Sequence, residues 1–259
     1  MSRPRTYQTE AIIIKKTKLG EADSILTLYT PHLGKIQGFA KSLRKPRSKL
    51  AGHLELLTHS QVSLARGRNL DTITGSQTIN SFLPLKSDLW LTSCALYAAE
   101  LVYQFTADGE ENYRLFRLLL EIMAGLCQEG DRELALRYFE LHLLDRVGYR
   151  PQLQQCVSCR ALLEPVTNSF CSHAGGVLCP SCRHGQPLSY PLSVNALKVL
   201  RFLQDNDYGT ASRLKLTPEL SQEVEAVLRD YLKYLLEREV KSVAWLDMLK
   251  GQIGPAASG

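Results

Sequence analysis

Long apolar runs are missing from this chain. Nowhere does it approach the ~20 consecutive apolar residues that a bilayer-spanning helix needs. No apolar segment of signal-peptide type follows Met1-Ser2-Arg3-Pro4-Arg5-Thr6, so export is not expected. Signatures of nucleotide and hydrolytic chemistry are missing too. There is no G-x-x-x-x-G-K-[ST] loop, no H-E-x-x-H and no G-x-S-x-G turn, which favours a binding protein over an enzyme. No internal repeat is visible. The seven cysteines are an odd number without an export signal, which fits a reducing cytoplasm better than a disulfide framework.

What is present is ordinary in amount and uneven in placement. A chain of 259 residues, 44% hydrophobic and 22% charged, can bury a full core and divide into two or more modules. Residues 1–80 carry 13 Lys/Arg against 5 Asp/Glu, whereas residues 81–259 carry 18 against 21. The net charge of +5 is thus concentrated in the first third. Charge segregated onto one module points to an anionic partner there, the alternative being a merely solvated basic surface.

Four of the cysteines form two pairs, Cys156-Val157-Ser158-Cys159 and Cys179-Pro180-Ser181-Cys182, with 19 residues between them. C-x₂-C spacing of this kind makes two knuckles that can point four thiolates at one tetrahedral metal, most naturally zinc. Four protein ligands leave no open position, so such a zinc is structural. Two disulfides or four buried thiols are the alternatives. Cys171 and His173 lie between the pairs, but the two-knuckle set needs neither. Cys94 and Cys127 sit on helical apolar stretches and read as core. His53-Leu54-Glu55 matches the first half of a zinc deaminase signature. However, Gln155 and Leu178 stand where that signature wants proline, and the match is read as coincidence.

Along the chain, residues 1–82 read as five short strands. These are Ala11–Ile14, Ser24–Thr30, Lys35–Ala40 with Gly38 as a bend or bulge, His53–Ala65 and Leu70–Ile79. Five strands in this length suggest a small closed barrel of the OB-fold type, although the pattern alone also suits an SH3-like barrel. Between the third and fourth strands lies a mobile basic loop, with Lys41, Arg44, Lys45, Arg47 and Lys49 but no acid. Together with Lys35 and with Arg66 and Arg68 of the following hairpin, these are the candidate nucleic-acid contacts. Tyr29 and Phe39 are candidate stacking rings or barrel core. From about residue 83 the period becomes 3.6, with helices around Trp90–Phe105, Leu115–Leu126, Leu134–Gly148, Val194–Leu203 and Thr217–Leu235. The expected organisation is α+β. A barrel domain occupies 1–82 and a helical domain 83–250, with a zinc segment, 151–189, inserted in it and a disordered tail at 251–259.

The ordered motifs resemble one family. They are Glu10-Ala11-Ile12-Ile13-Ile14, Leu19-Gly20-Glu21-Ala22-Asp23, Thr30-Pro31, Leu33-Gly34-Lys35, and Ala40-Lys41 on to Leu54-Glu55. Phe139-Glu140-Leu141, Leu144, Gly148-Tyr149 and Gly175-Gly176-Val177-Leu178-Cys179 follow. In this order they resemble the RecO recombination mediators of bacterial DNA repair over nearly the whole chain. The resemblance implies an N-terminal OB-fold, a helical domain and a zinc segment. It also implies a non-enzymatic role: binding single- and double-stranded DNA, annealing complementary strands, and helping load RecA onto strands coated by single-stranded DNA-binding protein. The implied partners are RecR and the acidic C-terminal tail of single-stranded DNA-binding protein, with RecA met indirectly and no membrane. Apolar helix faces flanked by Arg132 and Arg137 are compatible with tail binding. A nucleoid-associated place in the cytoplasm follows from the same resemblance.

Two other classes are weighed against it. A zinc-scaffolded nuclease would need clustered carboxylates near the barrel, where Glu10, Glu21, Asp23, Glu55 and Asp71 form no recognisable metal motif. A protein-interaction adaptor would carry the basic loop only incidentally.

Overall fold

The computed structural model describes residues 5–184 and 189–253. The chain forms two compact units. One runs to Cys127 and takes in the chain again from Trp245, while the other is Gln128–Ala244.

The first unit is built on five strands: β1 (Thr6–Leu19), β2 (Asp23–Thr30), β3 (Gly34–Ala40), β4 (His59–Ala65) and β5 (Asp71–Asn80). They close in the order β1-β2-β3-β5-β4, the OB-fold arrangement, which removes the SH3-like alternative. β1 is long because it serves two neighbours. Its first half pairs antiparallel with β4 and its second half with β2, handing over at Ile12, which faces both His59 and Tyr29. A register shift between Ile13 and Lys15 adds the local twist that lets one strand cross between partners.

Alternation puts Ala11, Ile13, Leu26, Leu28, Ala40, Val62, Leu64 and Ile73 into the barrel core. Ile12 and Tyr29 point outward yet are also fully buried. Ala11–Ile14 is therefore a continuous apolar run because both faces of β1 are covered.

Gly38 is not a bulge, since the β2–β3 register passes it without a shift. A Cβ there would lie 2.8 Å from Ile73 Cγ1. Glycine makes room for Ile73 at the seam, where the barrel closes through only two parallel pairs, Gly38↔Asp71 and Phe39↔Thr72.

The β3–β4 connection is longer than the strand pattern implies. It is a chain of turns, held by Lys45 N–H on Ser42 O at 3.1 Å and Ser48 N–H on Lys45 O at 2.9 Å, and it ends in the 3₁₀ turn Ala51–His53. Leu43 and Leu54 drop from it into the core. Alternation through Leu54 and Leu56 imitates a strand, so β4 begins at His59 and not at His53.

Helices α1 (Leu83–Ser87), α2 (Leu89–Phe105) and α3 (Tyr113–Leu126) complete the body of this unit. Asp88 and Asn112 cap α2 and α3 by accepting the N–H of Leu91 and Leu115, which satisfies otherwise orphaned donors.

The second unit contains α4 (Arg132–Arg146), β6 (Asn168–Cys171), β7 (Gly176–Leu178), β8 (Ser189–Leu192), α5 (Val194–Asp205), α6 (Tyr208–Ala211) and α7 (Pro218–Leu236). The strands form one sheet in the order β7-β6-β8. Thr217 caps α7 with Pro218 in its first turn, as the Thr-Pro signal leads one to expect. α4 is buried nearly all round, including Arg137 and Glu140. Their ion pair is 2.6 Å, and Arg137 also reaches Glu225 at 3.2 Å. Buried charges of this kind are tolerable only when paired.

A last helix, α8, spans Lys241–Ile253, so positions 251–253, expected in a tail, are helical. Residues 254–259, the rest of that expected tail, lie outside the described residues. Among the described residues no helix is long and apolar enough to cross a membrane.

Candidate nucleic-acid interface and metal centre

One end of the barrel collects three connections. Ser24 at the start of β2 pairs with Ala40 at the end of β3, and Gly38 and Phe39 pair with Asp71 and Thr72 at the start of β5. The β1–β2 turn, the entry to the basic segment and the β4–β5 hairpin therefore lie together. Short bonds fix their backbones. Ser42 N–H donates to Asp23 Oδ1 at 2.6 Å, Arg44 N–H to Ala22 O at 2.9 Å, and Gly67 N–H to Asp71 Oδ1 at 3.0 Å. Two of the nearby carboxylates thus hold loops in place.

The basic side chains divide by what they touch. Lys41, Lys45, Arg47, Lys49 and Arg68 are exposed, and among the described residues none of them pairs with a carboxylate. Arg44 is half-buried, its guanidinium donating to Gly20 O. Arg66 is exposed and stands over the Tyr7 ring, 4.7 Å from its centroid, in a cation–π contact.

Lys35 is placed otherwise. It is buried, and its ammonium donates to Tyr103 O at 2.9 Å and Thr106 O at 2.6 Å, with Asp108 3.4 Å away. It neutralises the carbonyl end of α2 and is not offered to a ligand. Tyr29 is likewise no stacking platform. It is fully buried with Phe116 of α3 6.3 Å away, and burial pushes its phenol well above the usual range. Phe39 is half-buried and remains at the barrel surface.

The acids expected to matter for a nuclease are engaged separately. Glu10 meets His59 at 3.1 Å, Glu55 meets Lys86 at 2.8 Å, and Asp71 accepts the Tyr7 hydroxyl at 2.6 Å. His53 of the deaminase-like triplet bonds Thr78 Oγ1 at 2.8 Å inside the barrel unit.

In the second unit the two knuckles converge. Val157 N–H donates to Val177 O at 2.9 Å and Val177 N–H to Gln152 O at 3.0 Å, laying the first knuckle along β7. The approach is close: a Cβ on Gly176 would lie 2.5 Å from Gln152 O. Arg160, at φ +66°, turns the chain after Cys159 and donates its N–H to Cys156 O at 3.0 Å. The second knuckle is the 3₁₀ turn Pro180–Cys182. The segment joining the knuckles is the β6–β7 hairpin.

As a result the Sγ atoms of Cys156, Cys159, Cys179 and Cys182 all lie within 4.8 Å of one another. Among the described residues no other group of three or more His, Cys, Asp or Glu side chains is close enough to share a metal ion. Cys159 and Cys179 are 3.8 Å apart, too far for a disulfide. That distance is the edge, about 3.8 Å, of a sulfur tetrahedron with bonds of about 2.3 Å.

Burial works to raise the Cys156 thiol, but the N–H groups of Cys159, Cys179 and Ser158 outweigh it and lower its pKa to about 6. The Cys182 thiol is pushed up to about 12, first by its bond with Cys179. Four thiols crowded so closely cannot all ionise without a cation, so the donor set fits a metal ion. Cys171 is buried on β6, and His173 lies edge-on to Tyr234 at 6.0 Å.

Known families divide the chain after the barrel, not between the two compact units. The family described as Recombination protein O N terminal matches residues 1–82, and that described as Recombination protein O C terminal matches residues 86–244. A DNA repair protein RecO of Dehalococcoides mccartyi is 48% identical over 250 residues, which is 96% of this chain and 98% of the relative. One of Roseiflexus sp. is 43% identical over 260 residues, 99% and 92% of the two chains. One of Pelotomaculum thermopropionicum is 36% identical over 256 residues, 98% of each.

Proposed function

The chain belongs to the RecO family of DNA repair proteins, and on that footing we propose that it is a non-enzymatic recombination mediator. It binds single- and double-stranded DNA, anneals complementary strands, and helps load RecA onto strands coated by single-stranded DNA-binding protein. RecR and the C-terminal tail of single-stranded DNA-binding protein are its partners, and its place is the cytoplasm, on the nucleoid.

One observation carries the DNA reading. Lys41, Lys45, Arg47, Lys49 and Arg68 are exposed, lack carboxylate partners among the described residues, and rise from backbone that hydrogen bonds hold in place. Cations fixed on a scaffold bind phosphates without having to order a loop first, and they do so without reading bases. Two strands held on such a surface repel each other less. Weak, sequence-blind contacts then let them slide into register, and no chemical step is needed.

The four-cysteine cluster holds a structural zinc in this reading. Zinc ties the two knuckles to the β6–β7 hairpin, and the thiolates fill its coordination sphere. Of the basic residues that flank the apolar helix faces, Arg137 is buried between Glu140 and Glu225 and is not offered to the tail. The nuclease alternative has no carboxylate cluster among the described residues to hold a catalytic ion.

The test is annealing of complementary oligonucleotides coated with single-stranded DNA-binding protein, with and without RecR. Acceleration by the pure chain is expected. No acceleration, together with metal-dependent cleavage, would favour the nuclease. No oligonucleotide binding at low salt would favour the adaptor.

A further inference from the structure

A cleft of about 600 Å³ opens in the first unit, lined from β1, β4, the β2–β3 turn and the start of α3. Two aromatic rings meet in it. His32 lies nearly flat against Tyr113, with centroids 5.5 Å apart and planes 8° from parallel. Both are well exposed, the His32 side chain at 67% and Tyr113 at 48%. The bond between His32 Nδ1 and Glu111 Oε1, 3.0 Å long, fixes the imidazole. No core packing requires this pair. It is a π surface held toward solvent.

Two guanidinium groups share the lining. Arg117 stands one turn after Tyr113 on the same helix face, is exposed, and pairs with no carboxylate among the described residues. Arg66 is steadied over Tyr7, whose hydroxyl is in turn held by Asp71. Glu10, the one carboxylate of the lining, is already bonded to His59. Glu111 is likewise bonded, to His32, and a surface ring stack beside two guanidinium groups suits a nucleotide better than an apolar side chain.

We propose that this cleft is a nucleotide subsite for single-stranded DNA, the base stacking on the His32–Tyr113 pair and its phosphate lying between Arg66 and Arg117. The subsite rests on the DNA-binding reading above and lengthens it. Arg66 belongs to both the basic hairpin and the cleft, so a strand leaving the barrel end would pass down the β1–β4 side. The opposite path over β2 and β3 is partly closed, since Tyr29 and Lys35 on those strands are buried. Only an unpaired base can reach the rings, so the subsite selects single strands over duplex.

The experiment uses the full chain and oligo-thymidylate carrying 5-iododeoxyuridine. Irradiation should attach the oligonucleotide to Tyr113 or His32. Tyr113→Ala should weaken binding roughly fivefold or more, the usual effect of removing a stacking ring, whereas Tyr113→Phe should bind as the parent does. Arg117→Ala should flatten the salt slope by about 0.7, and Arg117→Lys should not. Because Tyr113 and Arg117 are exposed, thermal unfolding should barely move. If Tyr113→Ala misfolds, cross-linking of the unsubstituted chain decides. A parent that binds while Tyr113→Ala binds equally well, with no adduct on either ring, overturns the subsite alone. A parent that binds no oligonucleotide overturns the DNA reading and the subsite with it. Loss of an Asp/Glu-rich peptide in Tyr113→Ala, with DNA binding intact, would make the cleft a peptide site and also overturn the proposal.

Discussion

Lys35 Nζ lies 2.6 Å from the carbonyl oxygen of Thr106, a residue 71 positions away that follows the last turn of α2. A lysine of the basic first third is thereby a helix cap and a strut between strand and helix. Lys35→Ala should lower stability by about 3 kcal/mol or more, since its ammonium makes two such bonds and each hydrogen bond from a charged donor contributes about 1.5–3 kcal/mol. Chemical denaturation measures this. The salt slope of DNA binding should stay unchanged in the same variant. An altered slope with unaltered stability would return Lys35 to the interface.

The basic segment should behave in the opposite way. Lys45, Arg47 and Lys49 are exposed, whereas Arg44 is tied to Gly20. Changing the first three together to alanine should flatten the log–log salt dependence by up to about 2, at about 0.7 for each neutralised phosphate. Annealing should fall in parallel. Stability should change by no more than about 0.5 kcal/mol per site. Unchanged binding of oligonucleotides of several sequences would place the strand elsewhere.

Metal analysis of chain purified without chelators should find about one zinc, with Zn–S distances near 2.3 Å by X-ray absorption. Cys156→Ser should lose the metal. Cys171→Ser should keep it, yet it is not innocuous, because Cys171 is buried on β6. A hydroxyl there without a partner costs about 1–3 kcal/mol. Chelation should speed hydrogen exchange around the two knuckles more than in the barrel, which has its own core. A chain that holds no zinc would leave the knuckles to be explained by thiol packing alone.

The sign of the pH dependence follows from His142. Burial lowers its pKa, despite the bond its Nε2 makes to Leu203 O at 2.9 Å. The unfolded chain then binds the proton more readily than the folded one. Stability should be fully present above the ordinary histidine value of about 6.5 and be lost as pH falls through the lower folded value. His59 shifts the same way, chiefly through burial. Urea midpoints measured from pH 7.5 to 5 should fall, and His142→Gln should flatten that slope. A slope that leaves His142→Gln and the parent identical would assign the titration to other groups.

Much of this protein was determined by short stretches of sequence acting locally. The period-2 pattern of Ser24–Thr30 and the period-3.6 faces from Leu89 to Arg146 needed no distant partner to be read. The same holds for the Thr217-Pro218 cap and the C-x₂-C knuckles, because backbone geometry alone relates residues a few positions apart. Where a local pattern had two physical causes, only tertiary structure decided between them. Gly38 reads as a bend or bulge, and only the fold shows that Ile73 occupies the space a side chain there would need. Leu54 and Leu56 could alternate in a strand or in a turn, and the core took Leu54 from a turn. Lys35 and Arg137 carry the same charge as Lys45. What distinguishes them is burial: Lys35 lies beside carbonyls far along the chain, and Arg137 is enclosed between its helix neighbour Glu140 and the distant Glu225. The cleft that holds the stacked His32 and Tyr113 is of the same kind. Its two rings lie 81 positions apart in the sequence, and they become neighbours only because α3 begins beside the turn between β2 and β3.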